Sequence, residues 1–410
     1  MMTSLLALNA LNFFVADVRD AFGPFLGVLL QGKGWSPAEI GLVMTIGGYA
    51  GMIATTPLGA LVDATRAKRG LIIASTSAII AASIVILAVP GFPLTSTAQA
   101  LNAIAGAAVG PTIAGITLGL VKQAGFARQL GRNEAFNHAG NATAAVLGGA
   151  FGYLFGLTAV FFVMAGMATG AIFAVLAIDP RHIDHAAARG LSGRAAKQAS
   201  SFVVLVQSKP LVLFACTLLL FHLGNAAMLP LLGQALVARG AGDPSASTAM
   251  TVVVAQLTMV PMALFASRLA ETRGYWIVLV LALVALPVRG VIAANVATSW
   301  GILPVQILDG VGAGMLGVAT PGLVARILAG SGHVNAGLGA VMTFQAVGAA
   351  SSPALAGLMA QQLGYSAAFL ALGGIGAIAL ALWLVATPVV GPACRNHLAA
   401  GGAAITQAAA

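Results

Sequence analysis

Charge is what this chain has least of. Only 7% of its 410 residues are charged, and the 10 acidic residues are outnumbered by 19 lysines and arginines. A soluble domain carries about 25% charged residues, so an ordinary water-exposed surface is excluded. Cysteine is nearly absent as well. Cys216 and Cys394 offer neither a disulfide framework nor a metal-ligand spacing. The N-terminus lacks a basic stretch followed by a small-residue cleavage site, so residues 5–30 are expected to be retained rather than removed as a signal peptide. Phosphate-binding loops, metal-ligand clusters and a nucleophile with its base are missing too. No cofactor, no metal and no enzymatic chemistry are therefore expected.

What the chain does have is apolar sequence. It is 59% hydrophobic with a mean hydropathy of +0.98. Twelve apolar runs predict membrane spans at 5–30, 38–62, 70–90, 95–121, 134–156, 158–178, 210–238, 247–268, 275–297, 300–328, 334–361 and 366–387. The runs are unbroken rather than alternating, which excludes a membrane barrel and leaves helices as the spanning elements. Their richness in Gly and Ala suits close helix packing in lipid. With the N-terminus inside, fifteen basic residues fall on cytoplasmic segments and two, Lys33 and Arg239, on outer loops. That bias predicts a multi-pass protein of the inner membrane with both termini cytoplasmic. It also accounts for the net charge of +9 without nucleic acid.

The chain repeats itself at offsets of 204 to 208 residues. Pro24 aligns with Pro230, Gly27 with Gly233, Gly34 with Gly240, Pro57 with Pro261 and Gly70 with Gly274. Gly140, Gly149 and Gly156 align with Gly348, Gly357 and Gly364. The division expected is a six-helix bundle over 1–178, a cytoplasmic linker over 179–209, a second six-helix bundle over 210–388, and a disordered Ala/Gly-rich tail over 389–410. A six-span unit repeated in parallel orientation is one arrangement of secondary transporters.

The loop after span two, GALVDATRAKRG, resembles the signature loop of the major facilitator superfamily (MFS). That pattern is Gly-x-Leu-x-Asp, a basic residue, Gly, and one or two basic residues. Gly59, Leu61, Asp63, Lys68 and Arg69 fit it, and Ala64 and Arg66 depart from it. With twelve spans and the repeat, the resemblance covers nearly the whole chain. It implies an all-α membrane protein of the MFS fold. It also implies a gating loop of Gly59, Asp63, Arg66, Lys68 and Arg69, in which Asp63 anchors the two halves in one state. The plainer reading of the loop's cations is a solvated turn obeying the charge bias. Two other family patterns are eroded. Asn102 stands where span four usually carries Arg, with Gly106 after it. In span five Gly140, Gly148 and Gly149 remain, while Ala144 and Ala145 replace Gly and Pro.

Ionisable residues inside spans are costly, at roughly 2.5–3.5 kcal/mol each at a helix centre, and are candidates for function. Asp17, Arg19 and Asp20 lie within the first span. Asp17 and Asp20 are i,i+3 and share a helix face. Two carboxylates in a low dielectric repel, so one of them holds a proton more readily, which suits proton coupling. The alternative is a structural network in which Arg19 neutralises one Asp. Arg19 could equally supply the positive charge missing at Asn102. Arg289 and Asp309 fall at similar depth with opposite charge and read as an ion pair, with a substrate or proton role for Asp309 as the alternative. His138, His222 and Asn225 complete the polar set of the predicted cavity, the histidines reading equally as satisfied core residues. The expected function is secondary active transport of a small organic solute by alternating access, in a monomeric, proton-coupled exporter. Proton-coupled uptake of an organic acid is the alternative. A membrane enzyme or a sensor fits poorly, since the polar residues lie at mid-depth rather than at one face.

Overall fold

The computed structural model describes residues 2–19, 23, 25–88, 91–189, 206, 208–295, 298–329 and 333–395. At Met2, Asp17, Arg19, Asp63, Gln123, Ala124, Ala127, Ser299 and Asn335 it describes the backbone alone. Among the described residues there are fourteen α-helices and no strand. Span one is α1 (Met2–Arg19) followed by α2 (Phe25–Gly32). Span two is α3 (Pro37–Ala64), and span three is α4 (Lys68–Ala88). Spans four and five form one run, α5 (Phe92–Phe155), interrupted only at Lys122 (φ 55°, ψ −176°). Span six is α6 (Ala159–Leu176). Span seven is α7 (Lys209–Asn225) with α8 (Met228–Ala238). The remaining spans are α9 (Pro244–Arg273), α10 (Tyr275–Ala294), α11 (Ile302–Ile327), α12 (Val334–Leu363) and α13 (Tyr365–Val385). A short helix, α14 (Thr387–Cys394), follows.

Local signals set the helix ends. Ser36 caps α3 in a capping box with Glu39, and Asp243 caps α9 by accepting from the Ala246 N–H at 2.9 Å. Gly274 and Gly364 take φ of 86° and 84°, a region that favours glycine, and each reverses the chain between two spans in one residue. Two expectations need correcting. The fifth span does not start at 134, because the helix resumes directly after Lys122. The stretch expected to be a free tail from 389 begins as helix up to Cys394, with Val390 and Cys394 buried.

Nine helices among the described residues are long and apolar enough to cross a bilayer. The expected spans outside that set are α1 with α2, the second half of α5, and α12. They are short or carry Asn, Gln, Ser and charge. Outward-facing side chains such as Phe162, Phe173, Ile378 and Val385 are large, apolar and exposed, as a lipid-facing surface requires.

The repeated glycines make equivalent contacts. A Cβ at Gly140 would meet the carbonyl of Phe13, and one at Gly348 would meet the carbonyl of Leu219, so the same joint recurs within each half. Between halves the contacts are reciprocal. Gly149 faces Ala249 and Gly357 faces Pro37; Gly27 faces Gln234 and Gly233 faces Val28. A pseudo-two-fold axis therefore relates the halves, and the helices at these joints approach closely because each glycine leaves room for a partner's side chain or carbonyl. The crossing contacts lie toward the end carrying residues 33–36 and 239–243. They include Tyr49 Oη to Ser351 Oγ at 2.6 Å, Ala354 N–H to Thr45 Oγ1 at 3.0 Å, and Gln31 to Tyr365 at 3.0 Å. Toward the other end Thr55 and Leu61 of α3, which packs on α12 of the opposite half, and Val260 and Leu264 of α9, which packs on α5, are exposed. The bundle is closed at one end and parts toward the other.

Candidate functional site

Between the halves lies a cavity of about 670 Å³. Ligand pockets of roughly 300–1,000 Å³ enclose most of a small organic molecule. Gly47 and Gly48 of α3 and Pro230 and Pro353 of the other half supply much of its wall, together with alanines and glycines of α5. Glycine on α3 lets α5 and α12 come close, since a Cβ at Gly47 would touch Gln99 and one at Gly48 would touch Ala350. Polar groups in this wall are few. Gln99 and Asn102 project from α5 one turn apart. Both amide atoms of Asn102 and Oε1 of Gln99 are buried with no hydrogen-bond partner. Leaving a buried polar group unsatisfied costs about 1–3 kcal/mol, so a protein retains such groups where something else binds them.

Asn102 thus stands in the cavity wall. Asp20 lies outside the described residues, as do the side chains of Asp17 and Arg19, although Gly23, just beyond them, lines the cavity. His138 bridges the halves, its ring Nδ1–H donating to Gln256 Oε1 at 2.9 Å. His222 bonds within its own helix, Nδ1 to the Leu218 carbonyl at 2.9 Å.

Asn225, Arg289 and Asp309 come together within the C-terminal half. Arg289 donates through Nη1 to Asn225 Oδ1 at 2.6 Å and to Asp309 Oδ1 at 2.7 Å, and through Nη2 to Gln306 Oε1 at 3.4 Å. Its side chain is 1% exposed and that of Asp309 is 14% exposed. The guanidinium is thus committed to three acceptors.

The loop after α3 is tied to its own half. Lys68 is buried and donates to the carbonyls of Val62 and Thr65, the latter at 3.3 Å, and Arg69 donates to Val175 at 3.1 Å and Leu176 at 2.9 Å. Both cations satisfy carbonyls at helix C-termini, where positive charge is favoured. Arg66 is exposed, Gly59 has open space where a Cβ would be, and the Asp63 side chain lies outside the described residues.

Sequence reasoning missed a buried relay in the N-terminal half. Gln129 donates to Asn9 at 2.8 Å and Asn133 at 3.0 Å, and Asn133 donates to Thr117 at 2.9 Å. The i,i+4 spacing of Gln129 and Asn133 was the available signal, hidden because this stretch reads as a connection.

The match with known proteins covers nearly the whole chain. The Major Facilitator Superfamily model matches residues 5–303 and 214–407. An uncharacterized MFS-type transporter of Mycobacterium tuberculosis is 42% identical over 386 residues, covering 93% of this chain and 92% of that protein. Among solved structures, the nucleoside transporter NupG superposes with a TM-score of 0.77 at 13% identity, over 93% of this chain and 98% of NupG. A bacterial homolog of the human lysosomal transporter Spinster, solved inward-facing and unoccupied, gives 0.74 at 13% identity, over 96% of this chain and 98% of that one. The chain belongs to the major facilitator superfamily: it is an all-helical, multi-pass membrane transporter of small solutes with the fold of that superfamily, and not an enzyme.

Proposed function

We propose that this protein exports a small, largely apolar organic solute across the inner membrane by alternating access coupled to protons. The cavity between the halves carries this reading. It is of solute size, closed at one end, walled mainly by Gly, Ala and Pro, and furnished with two unpartnered carboxamides. Gln99 and Asn102 donate to and accept from the solute's polar groups, and the apolar wall takes up the rest. The moving bodies are residues 1–178 and 210–388, with 179–209 as the cytoplasmic link and the protein a monomer. The excess of basic residues at the end carrying the termini supports placing that end in the cytoplasm. Closing and opening proceed as rocking of one half on the other about the reciprocal glycine joints. Asp63, with Arg66, Lys68 and Arg69 beside it, holds the cytoplasmic end shut in the opposite state. Asp17 and Asp20 sit just before the cavity residue Gly23 and carry the proton, balanced by Arg19.

Uptake of an organic acid would call on Arg289 as the anion's partner. The burial of that side chain and its three acceptors favour a neutral solute instead.

Reconstituted protein tests the reading. A pH gradient drives accumulation of a transported solute in vesicles. Asp17→Asn with Asp20→Asn removes accumulation and leaves solute exchange. Asn102→Leu weakens solute binding by roughly five- to tenfold, from about 1 kcal/mol of net hydrogen bonding. Accumulation unaffected by the two Asn substitutions would refute coupling through α1.

A further inference from the structure

A second cavity, of about 570 Å³, lies far from the first, beneath α14. Arg273 and Arg395 stand at its rim, Trp276 and Thr387 form one wall, and Leu384 and Pro388 form another. Its frame is preformed. Arg326 holds the end of α14 by donating to the Arg395 carbonyl at 3.1 Å while stacking on the Tyr275 ring at 4.5 Å. Trp276 Nε1–H donates to Thr387 Oγ1 at 3.0 Å. Cys394 closes the inner wall as a neutral thiol, since burial pushes its pKa up to about 12. The carboxylate nearest in sequence, Glu271, does not line the cavity. Both rim arginines are exposed, and neither guanidinium makes a hydrogen bond or ion pair to a protein group among the described residues.

The helices that carry this cavity, α10 and α13, pack on each other and present Leu281, Val284, Ile378 and Val385 outward. An apolar lipid-facing surface therefore meets paired guanidiniums and a tryptophan at a bundle end. Guanidiniums bind phosphate oxygens with charge-assisted hydrogen bonds. Tryptophan favours the headgroup level, and basic pockets at the cytoplasmic end, where the proposed orientation places this cavity, suit anionic headgroups.

We propose that this cavity binds one anionic phospholipid, its phosphate between Arg273 and Arg395 and its acyl chains along α10 and α13. The apolar wall distinguishes a lipid from free phosphate, which would use only the arginines.

The test is native mass spectrometry of the full chain in detergent, with added phosphatidylglycerol or phosphatidylcholine. The expected result is one phosphatidylglycerol retained in preference to phosphatidylcholine. Arg273→Gln with Arg395→Gln cuts that preference on the order of 30-fold, from ~1 kcal/mol per arginine. Arg273→Lys with Arg395→Lys keeps most of it, which separates loss of charge from loss of fold. Arg128→Gln with Arg181→Gln, charge-matched and outside the C-terminal half, leaves it unchanged. Equal retention of both lipids, equal loss in the charge-matched pair, or displacement of phosphatidylglycerol by equimolar inorganic phosphate would each overturn the proposal.

Discussion

Replacing Asp309 by Asn tests how the C-terminal half is built. Arg289 is 1% exposed and has Asp309 as its charged partner at 2.7 Å, with Asn225 and Gln306 as neutral acceptors. Asn keeps the shape of Asp309 and removes its charge, leaving the guanidinium buried among carboxamides. Breaking a buried pair from one side costs roughly 3–5 kcal/mol, because the surviving charge is uncompensated. At about 2–4 °C per kcal/mol for a unit of 150–250 residues, the melting of this half should fall by roughly 6–20 °C. The network is only partly satisfied, since Arg289 Nε and Gln306 Nε2 have no partner. Removing the whole pair should therefore be far milder. Arg289→Met with Asp309→Leu is expected to melt near or above the wild type, since apolar replacement of buried pairs is neutral or stabilising by about 1–4 kcal/mol. Thermal unfolding in detergent, followed by intrinsic fluorescence, reads all three proteins. An Asp309→Asn protein melting within about 2 °C of wild type would refute the reasoning. So would a double variant no better than the single one. Transport by the double variant then separates roles: if it persists, the pair is structural; if it vanishes while the fold is intact, Asp309 also serves solute or proton.

Three further outcomes follow from the geometry. Gly41→Val places a side chain on the Pro353 carbonyl, and Gly357→Val places one on that of Pro37. Either overlap costs about 1–3 kcal/mol and shifts the population away from the closed end by roughly 5–150-fold. Labelling of a cysteine at Leu229 from that end, in a background lacking Cys216 and Cys394, should rise, and unchanged labelling would refute the joint. Lys122→Gly should stabilise by about 1 kcal/mol, since φ 55° with ψ −176° is a glycine conformation costing other residues ~1–3 kcal/mol. The pair it gives up, Lys122 to Asp184 at 3.8 Å, is solvent-exposed and screened and contributes little, and a lower melting temperature would count against the strain. Asp184 accepts from the Ala187 and Ala186 N–H groups, both at 3.0 Å, and these bonds, with Lys122, hold its pKa below the usual carboxylate value. A lowered folded pKa stabilises above the unfolded value near ~4 and loses that contribution as pH falls through the folded value. Protection of the amides at residues 186–187, taken relative to their intrinsic exchange rate at each pH, should therefore fall on acidification below about pH 4, whereas Asp184→Asn shows reduced protection already at neutral pH.

Several parts of the site could be read in the sequence because a single rule acts over short range. Asn102 stood out as the wrong residue for its place in span four, and the structure sets it in the cavity wall with no partner. Others were unreadable for the opposite reason. The bond between His138 and Gln256 joins residues 118 apart, and no local pattern announces which helices will face each other. Gln129 and Asn133 read as connection because charge at 128–134 interrupts the apolar run. The helix forms regardless, since Asn9 and Thr117 take up its polar groups. Lys68 read as a gating or solvated cation, and burial against helix-end carbonyls depends on how α3 and α4 meet.

The amino-acid sequence by itself determined the membrane class, the helical spans and the six-plus-six repeat. These follow from hydropathy summed along the chain and from glycines at matched offsets, which need no knowledge of neighbours. Only the tertiary structure decided the rest: which end closes, where the cavity opens, and which polar groups are left for a ligand. Those depend on cross-chain distances. Some of the glycines that mark the repeat became joints only when a carbonyl from another helix was found against them, as at Gly140, Gly348 and Gly357. The same few polar residues became a pair, a bridge or an unpartnered carboxamide according to what packed beside them.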